Sequence, residues 1–287
     1  MGNAPAHGPG RGTCPKQTRI RKHRGRDILV ACKKFAFLVL LSVLLSALLS
    51  ACSPSSVERV EWTTMGTVAA LQTRGAQATE CAQSGRKTAQ RLFEGIAKLL
   101  NAHDPDSELS RLAALPEPKI LAQCDPSVSN CYATAFRLMH ASGGAFNPRW
   151  RGPKTLDLGA IAKGFAVDVA SGVDLGGGGD NAVLLDLGGN LKSIRGEWKV
   201  GIAGSDVVLT LTNGLACAPS AEYYRGKHIY DGRTGQAVSN GVTSVTVVHP
   251  TSAMLADGLS TTLFVFGKEE GERFLKANFP EARAYWR

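Results

Sequence analysis

The sequence predicts an α+β fold in which helices are mixed with largely antiparallel strands, and three observations carry that expectation. From Ala78 to Asp168 the apolar residues recur mostly at helical spacing. From Asn181 onward the pattern changes to short apolar runs broken by turns. The two kinds of segment interleave without the regular strand-helix-strand rhythm of a doubly wound α/β domain.

Taken in order, Val57 to Trp62 alternates as a strand does and leads through Thr63-Thr-Met-Gly-Thr67 into apolar Val68 to Leu71, which predicts a hairpin. Ala78 to Leu100, with Leu92, Ile96 and Leu99 near helical spacing, predicts an amphipathic helix that stops before Asn101-Ala-His-Asp-Pro105. A second helix is expected over Tyr132 to Ala141, ended by Ser142-Gly-Gly-Ala-Phe-Asn-Pro148, whose glycines suit a tight turn. Asp157 to Asp168 reads as a loop entering a helix with Ile161, Phe165 and Val169 on one face. Ala182 to Leu187, Trp198 to Ile202, Val207 to Leu211 and Val242 to Val248 read as strands. Pro250-Thr-Ser252 then caps a helix through Leu255, Leu259, Thr262 and Phe266, closed by Gly267. The glycine run 176–179 is either a phosphate cradle or a loop before the Leu184 strand.

The N-terminus has the make-up of an export signal. A basic stretch (Arg19, Arg21, Lys22, Arg24, Arg26, Lys33, Lys34) runs into an apolar segment from Phe35 to Ala51, shorter than the ~20 residues a membrane span needs. Its end, Leu49-Ser-Ala-Cys52, resembles the lipobox of bacterial lipoproteins, so Cys52 is the expected lipidation site; an uncleaved anchor helix is the alternative. The expected organisation is an export signal over 1–51, a Ser/Pro linker over 52–60 and one domain over 61–287. The long stretch ahead of Lys33 fits a start codon assigned too far upstream. Nine of the 33 Lys/Arg and one of the 24 Asp/Glu precede Cys52, which leaves 24 basic against 23 acidic residues. That near-neutral balance excludes the basic footprint of a nucleic-acid-binding domain. Four cysteines follow Cys52: Cys81, Cys124, Cys131 and Cys217. In an oxidising compartment Cys124 and Cys131, flanking a turn-rich stretch, could close a small loop, although sequence does not fix the pairing. No spacing suggests zinc.

Three places have residues suited to chemistry. Asp257 and Thr261 put a carboxylate and a hydroxyl four residues apart on one helix face, with Ser260 beside them; this suits Mg²⁺, or else is a solvated face. Lys163 sits in the first turn of its helix, where it opposes the dipole, so it either meets an anion or lies along the surface. His228, ahead of Asp231-Gly-Arg-Thr-Gly235, is a candidate base or ligand, or a structural histidine.

Together these segments occur in the order found in the ApbE family, the FAD:protein FMN transferases, and the resemblance spans nearly all of Trp62 to Gly267. Thr64-Met65-Gly-Thr67 resembles the family's opening MGT, whose Met lies on the flavin. Asp104 to Leu112 is similar to DpxSelsrlN, with His103 where an aromatic usually stacks on FAD. Gly143-Gly-Ala145-Phe146-Asn147-Pro148 resembles the GGaFDP turn, and Asp157 to Asp168 resembles DLGgIAKGyavD almost letter for letter. Leu185 to Asn190 resembles lvnlGGni, His228 to Gly235 resembles HIIDPrTG, and Ala256 to Gly267 resembles aDalaTalfvlG.

The resemblance implies an ApbE-like fold and transfer of FMN from FAD to a Thr or Ser hydroxyl of a periplasmic acceptor, with release of AMP. Asp257 and Thr261, with the carbonyl of Ala160, match the family's site for Mg²⁺ or Ca²⁺. Met65, His103, Ala145, Phe146, Asn147, Asp157, Lys163 and His228 match positions around FAD, and His228 and Asp257 match the catalytic ones. The implied acceptor is an electron-transfer protein exposed to the periplasm, with the lipid in the inner membrane; Ser53 after the Cys leaves outer-membrane sorting open. A Mg²⁺-dependent FAD pyrophosphatase and a non-catalytic FAD-binding lipoprotein are the alternatives. Four departures bear on this. The family's TSG turn reads Pro219-Ser-Ala221, DPrTG reads Asp231-Gly-Arg-Thr-Gly235, and Asn147 replaces an acidic residue, while the stretch from Pro148 to Asp157 is abbreviated.

Overall fold

The computed structural model describes residues 57–175, 180–222 and 228–287. The stretch expected to be an export signal, Cys52 and the glycine run 176–179 lie outside the described residues. Among the described residues no helix is long and apolar enough to cross a membrane.

Strands β1 (Val57–Thr64) and β2 (Thr67–Arg74) form the expected hairpin, and β1 begins inside the stretch assigned to the linker. Thr64 pairs with Thr67, so Met65 and Gly66 alone make the turn, with φ of 48° and 68°. That is the mirror-image two-residue turn whose twist suits a hairpin, and it puts a non-glycine residue at positive φ. Helix α1 (Ala78–Leu100) has the expected bounds and buries Cys81, Ala82, Gly85, Ala89, Phe93, Ile96 and Leu100 along one face. Short helices α2 (Glu108–Leu112) and α3 (Glu117–Gln123) precede α4 (Ser129–Ala141) and α5 (Ala162–Ser171).

The second half supplies β3 (Ala182–Leu187), β4 (Asn190–Arg195), β5 (Trp198–Gly201), β6 (Val208–Leu211), β7 (Ala216–Ala221), β8 (Tyr230–Asp231), β9 (Gln236–Ala237) and β10 (Ser244–His249). It ends with α6 (Ala253–Phe266), α7 (Lys268–Asn278) and β11 (Arg283–Trp286). One seven-stranded sheet runs in the order β1-β2-β3-β4-β7-β10-β11 with every neighbouring pair antiparallel. The expected α+β class is therefore the observed one.

Both faces of the central strands are covered. In β3 the side chains of Val183, Leu185 and Leu187 join the main core under the helices, while Ala182 and Leu184 join a second cluster with Trp198, Leu209, Leu211 and Cys217. The period of two along a strand divides these sets, and the β5-β6 ribbon closes the second face. Helix α6 packs on β7 and β10 and also on α5, which places the turn entering α5 beside the middle of α6.

The four described cysteines are free and buried, which corrects the Cys124–Cys131 loop. The turn between them is closed without a disulfide. Val128 N–H donates to the Asp125 carbonyl at 3.0 Å, and Ser127 binds Asp125 Oδ1 through both its N–H and its hydroxyl. Cys131 meanwhile lies in the first turn of α4, fully within the core.

Candidate functional site

The site is built where α5 and α6 meet. Asp257 leaves α6 one turn from its start and is 3 % exposed, so the reading of Asp257 and Thr261 as a solvated face is not what the fold produces. Its Oδ2 accepts the N–H of Gly164 at 2.9 Å. Gly164 lies in the first turn of α5, where an N–H has no acceptor within its own helix, and the neighbouring helix supplies one. The crossing needs glycine, because a Cβ on Gly164 would overlap the Ala253 carbonyl and the Asp257 side chain. Lys163, next in the same turn, holds its Nζ 3.7 Å from Asp257 Oδ2 and donates to the Gly159 carbonyl at 3.1 Å. Burial pushes the Asp257 carboxyl upward in pKa; Lys163, the Gly164 N–H and the Asn190 amide oppose it.

Thr261 stands one turn further along, half-buried, with its Oγ1 3.2 Å from Ser220 Oγ on β7. Ser220 also lies 2.8 Å from Ser260 Oγ. Among the described residues no three His, Cys, Asp or Glu side chains are grouped as a metal cage. The donors present at α5 and α6 are one carboxylate, one hydroxyl and one backbone carbonyl. All are hard oxygens, which fits a cation such as Mg²⁺ that keeps most of its shell for water and substrate phosphate and does not fit a soft transition metal.

A second group borders this one through Asp157. Asp157 Oδ1 accepts the Gly159 N–H at 2.9 Å, and Oδ2 faces Trp150 Nε1 at 3.3 Å and Arg151 Nη2 at 3.4 Å. Trp150 stacks on Tyr230 with ring centroids 4.2 Å apart, and the Arg151 guanidinium covers the indole at 4.6 Å. Asn147, where the family motif has an acid, uses its amide to bind the two turns together: Nδ2 donates to the Gly232 carbonyl at 3.1 Å and Oδ1 accepts from Arg149 N–H at 2.8 Å. The Ala145 carbonyl accepts the Gly232 N–H at 3.1 Å, with Phe146 buried behind it. His228 is exposed just ahead of β8. Met65 is at the tip of the β1-β2 hairpin, and His103 is exposed in the turn after α1, its N–H on Asn101 Oδ1. The fold thus brings Lys163 and Gly164 against Asp257, on the same helix as Thr261, and ties Asn147 and Ala145 to the turn that follows Asp231.

Sequence reasoning missed the support beneath α6. Asp168, named only as the end of a motif, accepts from four donors: Lys192 Nζ at 2.7 Å, Ser252 Oγ at 2.7 Å, Ala253 N–H at 2.8 Å and Met254 N–H at 3.0 Å. It caps α6 from another helix, with a negative charge at the positive end of the dipole. The expected local cap is there too, since Ser252 Oγ accepts the Leu255 N–H at 3.0 Å.

Behind this cap lies His249, 4 % exposed. Its Nδ1 accepts the N–H groups of Thr251 at 3.2 Å and Ser252 at 3.0 Å, which puts the proton on Nε2, 3.4 Å from Glu281. Burial lowers its pKa, with Lys192 adding to that and Glu281 and Asp168 opposing it. A histidine with a depressed folded-state pKa contributes stability above its unfolded value and loses it as pH falls. Thermal stability is therefore expected to decline as pH drops below about 6.5. That decline should be absent in His249→Gln; an unchanged pH profile in the variant would show that another group titrates.

Compared with known proteins, residues 149–286 match the model of the ApbE family. An FAD:protein FMN transferase of Vibrio cholerae is 34% identical over 142 residues, 43% of this chain and 42% of that protein. One from Treponema pallidum is 31% identical over 204 residues, 58% of this chain and 53% of that protein. The aligned part thus spans about two fifths to one half of the length of these curated relatives. Among solved structures, the Pseudomonas stutzeri flavinyl transferase ApbE superposes with a TM-score of 0.67 at 22% identity, covering 82% of this chain and 92% of that one. The Vibrio cholerae flavin transferase ApbE gives 0.62 at 21%, covering 81% and 97%. The fold is that of the flavin transferases. Within it, the stretch that matches the ApbE family model, residues 149–286, contains Asp157, Lys163, His228, Asp257 and Thr261.

Proposed function

We propose that this chain is an FAD:protein FMN transferase that uses a divalent cation to move FMN from FAD onto a Thr or Ser hydroxyl of another protein, releasing AMP. The observation that carries this reading is the α5-α6 crossing, where Lys163 and Gly164 meet Asp257, on the same helix as Thr261, inside the segment that matches the ApbE family. Asp257, Thr261 and the Ala160 carbonyl would hold Mg²⁺ or Ca²⁺. When bound, such a cation neutralises the charge of the FAD pyrophosphate and of the departing AMP. Lys163 adds a positive charge on the same side, and the Arg151-Trp150-Tyr230 stack with Asp157 borders the cofactor. His228 takes the proton from the acceptor hydroxyl. That oxygen then bonds to the FMN phosphorus while the bond from phosphorus to the AMP oxygen breaks, and AMP leaves with the electron pair. Met65, His103, Ala145, Phe146 and Asn147 complete the FAD surroundings in this reading.

Anchoring through lipid on Cys52 at the periplasmic side of a bacterial membrane, with a periplasm-exposed electron-transfer protein as acceptor, belongs to the same proposal. The leader composition supports it. The test is to incubate the full chain with FAD, Mg²⁺ and a periplasmic extract and to follow flavin fluorescence in a denaturing gel. A fluorescent second band that disappears with EDTA is the expected result. Release of AMP with no labelled band would replace transfer by pyrophosphatase activity. FAD retention with neither would leave a flavin carrier, the outcome that the short stretch from Pro148 to Asp157 favours.

A further inference from the structure

Three hydroxyls where the middle of α6 meets β7 form a chain with a single direction. Ser260 Oγ donates to the carbonyl of Asp257 at 2.8 Å. A hydroxyl has one proton, so in its 2.8 Å contact with Ser220 the Ser260 oxygen accepts and Ser220 donates. The Ser220 proton is then committed, and in the 3.2 Å contact between Ser220 and Thr261 it is Thr261 that donates. Ser260 is fully buried and Ser220 is 9 % exposed, so water does not readily offer substitute partners. Ser220 is held in place by the sheet, paired with Val245 of β10.

We infer that Ser220 is a positioning residue for the cation site: by taking the Thr261 proton it leaves the Thr261 oxygen with only lone pairs to offer a cation. The inference rests on the cation-dependent reading of the site given above. A hydroxyl ligand binds through a lone pair, and a proton turned toward the cation would oppose binding. The chain from Thr261 to Ser220 to Ser260 to the Asp257 carbonyl fixes the productive orientation before any ligand arrives. It also links the two side-chain ligands, because its last acceptor is the backbone of Asp257 itself.

The test titrates Mn²⁺, a hard cation suited to these oxygens, into the full chain without FAD and reads the electron paramagnetic resonance signal of the unbound ion. Ser220→Ala is expected to weaken Mn²⁺ binding about tenfold, the low end of what losing a partner behind a metal ligand costs. Ser220→Thr, which keeps the hydroxyl, should restore near wild-type affinity. Ser260→Ala should also weaken binding, since it frees the Ser220 proton to turn onto Thr261. In a Thr261→Val background Ser220→Ala should have no further effect. Unchanged affinity in Ser220→Ala while Thr261→Val binds weakly would overturn the inference and leave the cation reading standing. A full additional loss on top of Thr261→Val would overturn it as well. No Mn²⁺ binding by the wild type, or binding indifferent to both Asp257→Asn and Thr261→Val, would remove the cation reading and this inference with it.

Discussion

Asp257→Asn is expected to reduce flavin transfer by at least about a thousandfold while leaving the protein folded. The size reflects the role proposed for the carboxylate: charge stabilisation by a bound cation is worth several kcal/mol in the transition state, and each 1.36 kcal/mol is about tenfold in rate. The choice of Asn reflects the local geometry. Gly164 N–H needs an acceptor at the Asp257 position, 2.9 Å away across a helix crossing too tight for a methyl group, and the Asn carbonyl supplies one. Ala would leave that donor unpaired and confuse folding with chemistry. A carboxylate that is 3 % exposed also costs desolvation that the amide does not, so in EDTA the variant should melt no lower than the wild type. Transfer within tenfold of wild type, measured as labelled acceptor per unit time, would mean that Asp257 does not hold a catalytic cation. A large fall in melting temperature would instead assign it a structural role.

Asp168→Ala is expected to cost about 3 kcal/mol of stability, the low end of the penalty for removing one partner of a buried charge pair. For a domain of this size that corresponds to a fall of roughly 9 °C in melting temperature. The side chains of Asp168 and Lys192 are 20% and 12% exposed, 2.7 Å apart, so the pair is screened little by water. Its removal also leaves the Ala253 and Met254 N–H groups and the Ser252 hydroxyl without an acceptor. Because α6 carries Asp257 and Thr261, cation affinity should fall together with stability. A Lys192→Met partner test refines the result: in the Asp168→Ala background it should recover part of the lost stability, since an unpaired buried ammonium disappears. A loss in Asp168→Ala below about 1 kcal/mol, the typical net worth of a single hydrogen bond, would show that the cap is redundant.

Much of the fold was legible because local rules and tertiary packing agree there. Helix α1, strand β3 and helix α6 fall at their expected bounds, each having a strong hydrophobic period and, for α6, a local serine cap. Strands β4 and β7 were not read from sequence. β7 is Ala-Cys-Ala-Pro-Ser-Ala and β4 contains Asn, Lys, Ser and Arg, so neither shows strand propensity; both form because the sheet on either side pairs with them. Pro219 sits within β7 close against Gly189 of the turn between β3 and β4, a placement that composition argues against. Helix α7 and strand β11 were missed because a short polar helix and a four-residue edge strand fall below what periodicity resolves.

Residue types at the site, their order along the chain and the spacing that puts Asp257 and Thr261 on one helical face are all local properties, because covalent order and the 3.6-residue turn require nothing beyond the segment. Which oxygens face which donors follows instead from how the elements pack. That Gly164 gives its N–H to Asp257, that Asp168 caps a helix 84 residues downstream, and that Ser220 meets Thr261 are contacts between segments far apart in sequence. Side-chain hydrogen bonds of that kind depend on angles and separations set by helix and sheet packing, and no local period encodes them.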